Sequence, residues 1–299
     1  RKVKINMIEI NGKTRTCGLI GNPVEHTMSP LIHNYLAETN NINMTYVPFH
    51  VKEDKIGDAV KGAFGLNILG VNVTVPYKTD VIEHLSDIDS LAQKMGAVNT
   101  LVRTDNGFKG YNTDVSGLLR AMRSDGVEIA GEDVIILGAG GVGRAVVFMC
   151  ASNNAAKVHI INRSEEKAKA VADEVNKALN TDIVDTLSVN DYMKLAEGND
   201  KKYLVIQCTS VGLSPNDAET FIDNKDFYKC VKTGYDLIYN PWETKFMKLV
   251  KEQGAEAYNG LKMLLYQAID AFELWNNCKI DDETANKTYE KLKQAVISR

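Results

Sequence analysis

Residues 133–147, DVIILGAGGVGRAVV, decide how the rest of the chain is read. Four apolar residues, Val134–Leu137, run straight into Gly138, and further glycines stand at 140, 141 and 143. An apolar run that breaks into closely spaced glycines and resumes as an apolar segment predicts a strand, a tight turn and a buried helix. Glycines at this junction allow the turn. They also let the backbone approach an anionic group held at the helix N-terminus. Taken alone, the spacing fits equally a glycine-rich turn that binds nothing. The second apolar strand, KVHIINRS at 157–164, supplies the context of a βαβ unit. The candidate cradle for a dinucleotide pyrophosphate is Gly138, Ala139, Gly140, Gly141 and Val142.

The end of that second strand selects the cofactor. A carboxylate there would hold the 2′-hydroxyl of NAD and repel a 2′-phosphate. This chain has Asn162-Arg163-Ser164, with Lys167 one turn into the next helix. A guanidinium attracts a phosphate and grips two of its oxygens, so the pattern points to NADP(H). Glu165 and Glu166 oppose that field, and Arg163 also reads as a solvated loop charge.

Working outward, strand-like segments at 202–212 and 234–241 and a helix at 244–254 extend the unit to about 118–255. Before it, a strand at 15–21 leads through a polar loop to a helix opening at Ser29-Pro30, with Ser29 as its cap. Segments 45–51 and 53–64 follow as strand and helix. In VNVTVPYKTD (71–80), Val71, Val73 and Val75 alternate with Asn72 and Thr74, the period of a half-buried strand that Pro76 ends. Asp105-Asn106-Gly107 predicts a hairpin, and Thr113 or Asp114 lies near the cap of the helix after it. Two C-terminal helices, one strongly apolar (260–277) and one amphipathic, close the chain. The expected fold is two-domain α/β. Residues 1–117, completed by 256–299, form a domain with a mainly parallel sheet, and residues 118–255 form a Rossmann-like domain.

Bulk properties narrow the class. The 299 residues are 44% hydrophobic and 25% charged, an ordinary globular composition. A net charge of -4 and the lack of a basic run give no sign of a nucleic-acid partner. Five scattered cysteines without C-x-x-C spacing, and five dispersed histidines, favour neither disulfides nor a metal site. A reducing, cytoplasmic setting is expected. The segment RKVKINMIEINGKTR lacks the apolar core of a signal peptide, and the most apolar stretch is broken by glycines and Arg144, so no membrane span is expected. The chain opens on Arg1 rather than Met, which leaves room for residues ahead of it.

Short polar motifs interrupt the first domain where strands meet loops: EHTMSP (25–30), NVTVPYK (72–78), GAVNT (96–100) and NTD (112–114). Thr27, Ser29, Thr74 and Asn99 offer neutral hydrogen bonds, while Lys78 and Asp114 offer opposite charges. Each singly is an ordinary cap, turn residue or solvated charge. Together they suit a small, polyhydroxylated, anionic molecule. A lysine beside a carboxylate in a partly dry cleft serves proton transfer at a carbonyl or alcohol.

In order, GNPVEHTMSPLIHN, NVTVPYK, GAVNT, GYNTD, GAGGVGRA, NRS, CTSVG and NGLKMLLYQA resemble the shikimate dehydrogenase family over residues 17–277. The resemblance implies reversible reduction of 3-dehydroshikimate to shikimate with NADPH, in the route to aromatic amino acids through chorismate. It implies that Thr27, Ser29 and Thr74 lie near the substrate carboxylate, that Lys78 is the catalytic lysine and that Asp114 is its partner. Asn99, Tyr239 and Gln267 become substrate contacts, and Leu237 and Gly260 flank the nicotinamide. The implied protein is a monomer or homodimer acting on a small molecule.

One departure stands out. Many shikimate-specific members resemble H-S-x-S-P, whereas this chain has His26-Thr27-Met28-Ser29-Pro30. The added methyl of Thr27 bears on preference between shikimate and quinate. Two other readings stay open: a quinate/shikimate dehydrogenase with broader substrate or NAD use, and a non-catalytic module sensing NADP or shikimate. A sensor has no need of both Lys78 and Asp114. Asn72 has no evident task at this level.

Overall fold

The structure, a computed structural model, describes residues 9–196 and 201–298. Half of the segment that bears on a signal peptide, residues 1–8, lies outside them. The chain divides into two compact units. One holds residues up to Gly117 together with Leu264–Ala295; the other holds Leu118–Met263 and the last few residues. Residues 256–263, expected with the first domain, group with the second.

In the first unit the chain runs through β1 (Arg15–Gly21), α1 (Ser29–Thr39), β2 (Met44–His50), α2 (Ile56–Gly65), β3 (Gly70–Val73), β4 (Asp87–Ile88), α3 (Ser90–Met95), β5 (Thr100–Thr104), β6 (Gly107–Tyr111) and the start of α4 (Thr113–Ser124). The sheet order is β2-β1-β3-β5-β6-β4. Pairing is parallel where helices connect neighbours, at β1–β2 and β1–β3, and also at β4–β6; it is antiparallel across β3–β5–β6. The β5–β6 hairpin turns at Asp105-Asn106, as the sequence predicts.

The reading of the strand at 71–75 needs correction. Val71, Asn72 and Val73 are all buried, and Val75 is 66% exposed. β3 lies between β1 and β5 and is covered on both faces, so the alternation of a half-exposed strand does not apply. The strand ends at Val73, before Pro76. Ser29 is likewise not a cap: it is the first helical residue, Met28 holds the cap position, and the Ser29 N–H donates to Thr27 Oγ1. The cap of α4 is Asn112, whose Oδ1 accepts the Asp114 N–H.

The second unit contains β7 (Asp133–Leu137), α5 (Gly141–Ser152), β8 (Lys157–Ile161), α6 (Glu165–Leu179), β9 (Val184–Leu187), β10 (Tyr203–Gln207), β11 (Val231–Asp236), α7 (Lys245–Glu252) and β12 (Glu256–Tyr258). All its pairings are parallel, in the order β12-β11-β10-β7-β8-β9. The order reverses between β7 and β10, the switch point at which α/β sheets bind ligands. β9 and β12, of four and three residues, are too short to have left a pattern in the sequence. α8 (Leu261–Asn276) then carries the chain back into the first unit, and α9 (Asp282–Ile297) follows.

Each unit has its own core. In the first, Ile20, Val71, Val73, Tyr77, Val81, Val98, Leu101 and Phe108 pack together. A Cβ on Gly70 would fall 2.0 Å from Trp275 Nε1, so only glycine admits that indole, which donates to Leu101 O at 2.9 Å. In the second, Ile135, Val205, Phe227, Tyr228, Phe246 and Val250 fill the space beside the parallel sheet.

Candidate active site

In the first unit, the loop after β3 is fixed from several sides. The buried Tyr77 donates its hydroxyl to Val51 O at 2.6 Å, and Lys78 O accepts the Val98 N–H at 2.8 Å. Lys78 is thereby aimed rather than free. Its Nζ lies 2.7 Å from Asp114 Oδ2, with the lysine side chain 26% and the aspartate 16% exposed. The second Asp114 oxygen accepts from Asn99 Nδ2 at 2.9 Å. Asn99 Oδ1 takes the Thr113 N–H at 2.7 Å, which fixes which end of the amide faces Asp114. Three separated motifs, NVTVPYK, GAVNT and NTD, thus meet in one constellation.

Thr27 and Ser29 form a second group, with Thr27 Oγ1 donating to Ser29 Oγ at 3.2 Å. Thr74 follows β3 and is half-buried, its N–H bound to Ile20 O. Gln267 lies on α8 and donates to Leu264 O at 2.8 Å. Gly117 permits α4 to approach it: a Cβ there would meet Gln267 N at 2.5 Å.

In the second unit, β7 ends in the glycine turn. Gly138 has φ +105°, which side-chain-bearing residues rarely adopt, and its N–H bonds Ile161 O. A Cβ on Gly143 would sit 2.2 Å from Gly138 O, so this glycine closes the turn on the helix. Gly140 and Gly141 face open space, and Gly140–Val142 are exposed at the start of α5. This division suits a pyrophosphate: inner glycines shape the turn, and outer ones leave bare N–H groups at a helix N-terminus.

Asn162 Oδ1 accepts the Ala139 N–H at 3.1 Å and ties the second strand's end to the cradle. Ser164 caps α6 by accepting the Lys167 N–H. Arg163 and Lys167 are exposed beside it, and the Arg163 guanidinium lies 6.0 Å from the Phe221 ring centroid. Glu165 and Glu166 occupy the first turn of α6 and are exposed too.

Leu237 and Gly260 come together, since a Cβ on Gly260 would be 2.0 Å from Leu237 O. Tyr239 is half-buried in the loop after β11. That loop has an anchor the sequence reading missed. Asp236 accepts from Ile238 N at 3.0 Å, Thr244 Oγ1 at 2.6 Å and Gln207 Nε2 at 3.4 Å. Burial pushes its carboxyl up to about 6, against the pull of those donors. An aspartate set between Tyr235 and Leu237-Ile238 at the end of a strand is the signal the sequence offers. Asn72, unassigned from sequence, accepts the Tyr46 hydroxyl at 2.8 Å and donates to Thr100 Oγ1 and Asn99 O.

A parallel sheet with a glycine cradle at its switch point, and a separate unit holding a lysine–aspartate pair among neutral donors, have the build of a dinucleotide-dependent dehydrogenase. Residues 19–101 match the family model for the shikimate dehydrogenase substrate binding domain, and residues 134–257 match that for the saccharopine dehydrogenase NADP binding domain. The chain is 39% identical over 269 residues to the NADP(+) shikimate dehydrogenase of Desulforamulus reducens, covering 89% of this chain and 91% of that protein. A crystal structure of a shikimate dehydrogenase in complex with NADP+ superposes with a TM-score of 0.86 at 36% identity, over 95% of this chain and 97% of that one. The Listeria monocytogenes shikimate 5-dehydrogenase, solved with shikimate and NAD, gives 0.87 at 30% identity, over 95% and 98%. The chain belongs to the shikimate dehydrogenase family. No described helix is long and apolar enough to cross a membrane, and no described group of His, Cys, Asp and Glu is arranged to hold a metal ion.

Proposed function

We propose that this chain catalyses the reversible, NADP-dependent interconversion of 3-dehydroshikimate and shikimate, a step toward aromatic amino acids. The observation that carries the reading is the Lys78–Asp114 contact at 2.7 Å, braced by Asn99. Bound at the glycine cradle, NADPH supplies the hydride. The residues do the rest. Thr27, Ser29 and Thr74 bind the substrate carboxylate with neutral donors. Asn99, Asp114, Tyr239 and Gln267 hydrogen-bond its hydroxyls. Lys78 gives its proton to the C3 oxygen as charge develops there, and takes one back in the oxidative direction.

Gly138–Val142 hold the pyrophosphate, Asn162 and Ser164 shape the ribose side, and Arg163 with Lys167 binds the 2′-phosphate. Leu237 and Gly260 line the nicotinamide side. In this reading residues 1–117 with the C-terminal helices are the substrate domain, and the segment from 118 is the cofactor domain. The protein works in the cytoplasm as a monomer or homodimer, and its five free thiols suit a reducing compartment.

The test is parallel reduction of NADP+ and NAD+ with shikimate and with quinate. Strong turnover is expected for NADP+ with shikimate. Preference for NAD+ or for quinate would replace this reading with that of a broader quinate/shikimate dehydrogenase. Binding without turnover would make the protein a sensor.

A further inference from the structure

A line of buried polar groups runs beneath the Lys78–Asp114 pair, at positions where sheet interiors ordinarily carry apolar side chains. Tyr46 on β2, Asn72 on β3 and Thr100 on β5 are 1%, 5% and 0% exposed. Asn72 and Thr100 face each other in the antiparallel pairing of their strands. The Tyr46 hydroxyl donates to Asn72 Oδ1 at 2.8 Å, and Asn72 Nδ2 donates to Thr100 Oγ1 at 3.0 Å. Thr100 Oγ1, having accepted that bond, directs its one hydrogen at Asn99 Oδ1 (3.0 Å) or Thr113 Oγ1 (3.1 Å). Asn99 in turn holds Asp114, and Asp114 holds Lys78.

The other end of the line reaches the hydroxyl pair. Burial pushes the Tyr46 phenol well above its ordinary value, and the Ser29 hydroxyl beside it moderates that rise. Every side-chain polar group on this line is satisfied. A buried polar network stiffens its site when it is complete and costs stability when it is not. Valine at position 100 would fill the same volume, suit a central strand and bury no hydroxyl. A hydroxyl there is explained by what it orients.

We propose that Thr100, braced by Tyr46 and Asn72, is a positioning residue that sets the Asn99 amide and through it the Asp114–Lys78 pair. Thr100 touches neither substrate nor cofactor in this account. The inference rests on Lys78 and Asp114 being the proton-transfer pair.

The experiment compares Thr100→Val, Thr100→Ser and Lys78→Ala with the full chain in shikimate oxidation by NADP+, well below each variant's melting temperature. Thr100→Val is expected to lose about tenfold in kcat, with KM for NADP+ within about twofold. Thr100→Ser, which keeps the hydroxyl, is expected to restore most of the loss. Unchanged kcat in Thr100→Val beside an inactive Lys78→Ala would overturn the role of Thr100 alone, as would a loss that serine does not repair. Full turnover in Lys78→Ala would overturn the site reading and this inference with it. If Thr100→Val does not fold, Tyr46→Phe asks the same question from the far end of the line. There a loss of about threefold in kcat at constant KM for NADP+ is expected, and wild-type kcat would overturn the proposal.

Discussion

Lys78 Nζ and Asp114 Oδ2 stand 2.7 Å apart, although 36 positions separate the two residues in the chain. One sits on a loop pinned by a buried tyrosine, and the other in the first turn of a helix capped by Asn112. Neither local structure alone predicts the pair; the sheet between them brings it about. With both side chains partly shielded from water, their contact is oriented, as a surface ion pair rarely is.

Lys78→Ala is expected to reduce kcat by about 10²–10⁴-fold, the range for loss of a positioned acid–base group. NADP+ affinity, measured by calorimetry, should stay close to wild type. Wild-type turnover in this variant would remove Lys78 from the reaction.

Thr27→Ser deletes one methyl beside the Ser29 hydroxyl. A methyl-sized change in a pocket is worth roughly 10–200-fold in discrimination. The ratio of kcat/KM for quinate to that for shikimate should rise, because quinate is the bulkier ring at the carboxylate-bearing carbon. A ratio that stays constant would place the Thr27 methyl outside the pocket.

Arg163→Ala removes a guanidinium exposed beside the glycine cradle. KM for NADP+ should rise about 10–100-fold, the scale of a charge-assisted phosphate contact. KM for NAD+ should hardly move. Equal effects on both cofactors would argue that Arg163 supports the fold of the loop instead of reading the 2′-phosphate.

Two glycines of the cradle should separate binding from folding. Gly140→Ala introduces a Cβ into open space, so Tm should hold while NADP+ binding weakens by at least tenfold through blocked backbone approach. Gly143→Ala drives a Cβ to 2.2 Å from Gly138 O and should lower stability by about 1–3 kcal/mol. Thermal melts with and without NADP+ distinguish the two, and matching behaviour in both variants would contradict the assignment.

His33 is fully buried, stacked on Tyr46 at 4.2 Å between ring centroids, and burial pulls its imidazole down to about 3. The unfolded chain takes up a proton there near 6.5, so stability is full above that value. It is lost as pH falls from about 6.5 toward 3, at about 1.4 kcal/mol per pH unit. His33→Phe has no such proton to bind. Between pH 7 and pH 5 the wild type should lose about 2 kcal/mol more than the variant in urea unfolding. Parallel losses would show that His33 does not titrate as described.

The glycine turn, Arg163 and the polar motifs were legible in the chain because each is a local departure: glycines at a strand–helix junction, a cation where a carboxylate is common, amides and hydroxyls ending apolar runs. Short-range chemistry suffices to expose such features. The same local view misread Val75, which the strand pattern counted as core and the structure leaves 66% exposed. Alternation in VNVTV cannot say whether both faces of a strand are covered. It also takes Ser29 as a cap, because one residue of register at a helix end depends on backbone angles that composition does not set.

What the amino-acid order determined by itself was the class of fold, the glycine turn between strand and helix and the residue types available for chemistry. What only tertiary structure decided was which of those residues meet. Asn72 shows the difference. In sequence it is one polar residue in a strand, with no evident task. In the folded chain β3 runs between β1 and β5, and Asn72 faces Thr100 across the β3–β5 pairing and accepts from Tyr46. Hydrogen-bond partners 26 to 28 residues away are supplied by strand register. Register is set by burial over the whole sheet, so the partners of a single buried amide appear only when the sheet is assembled.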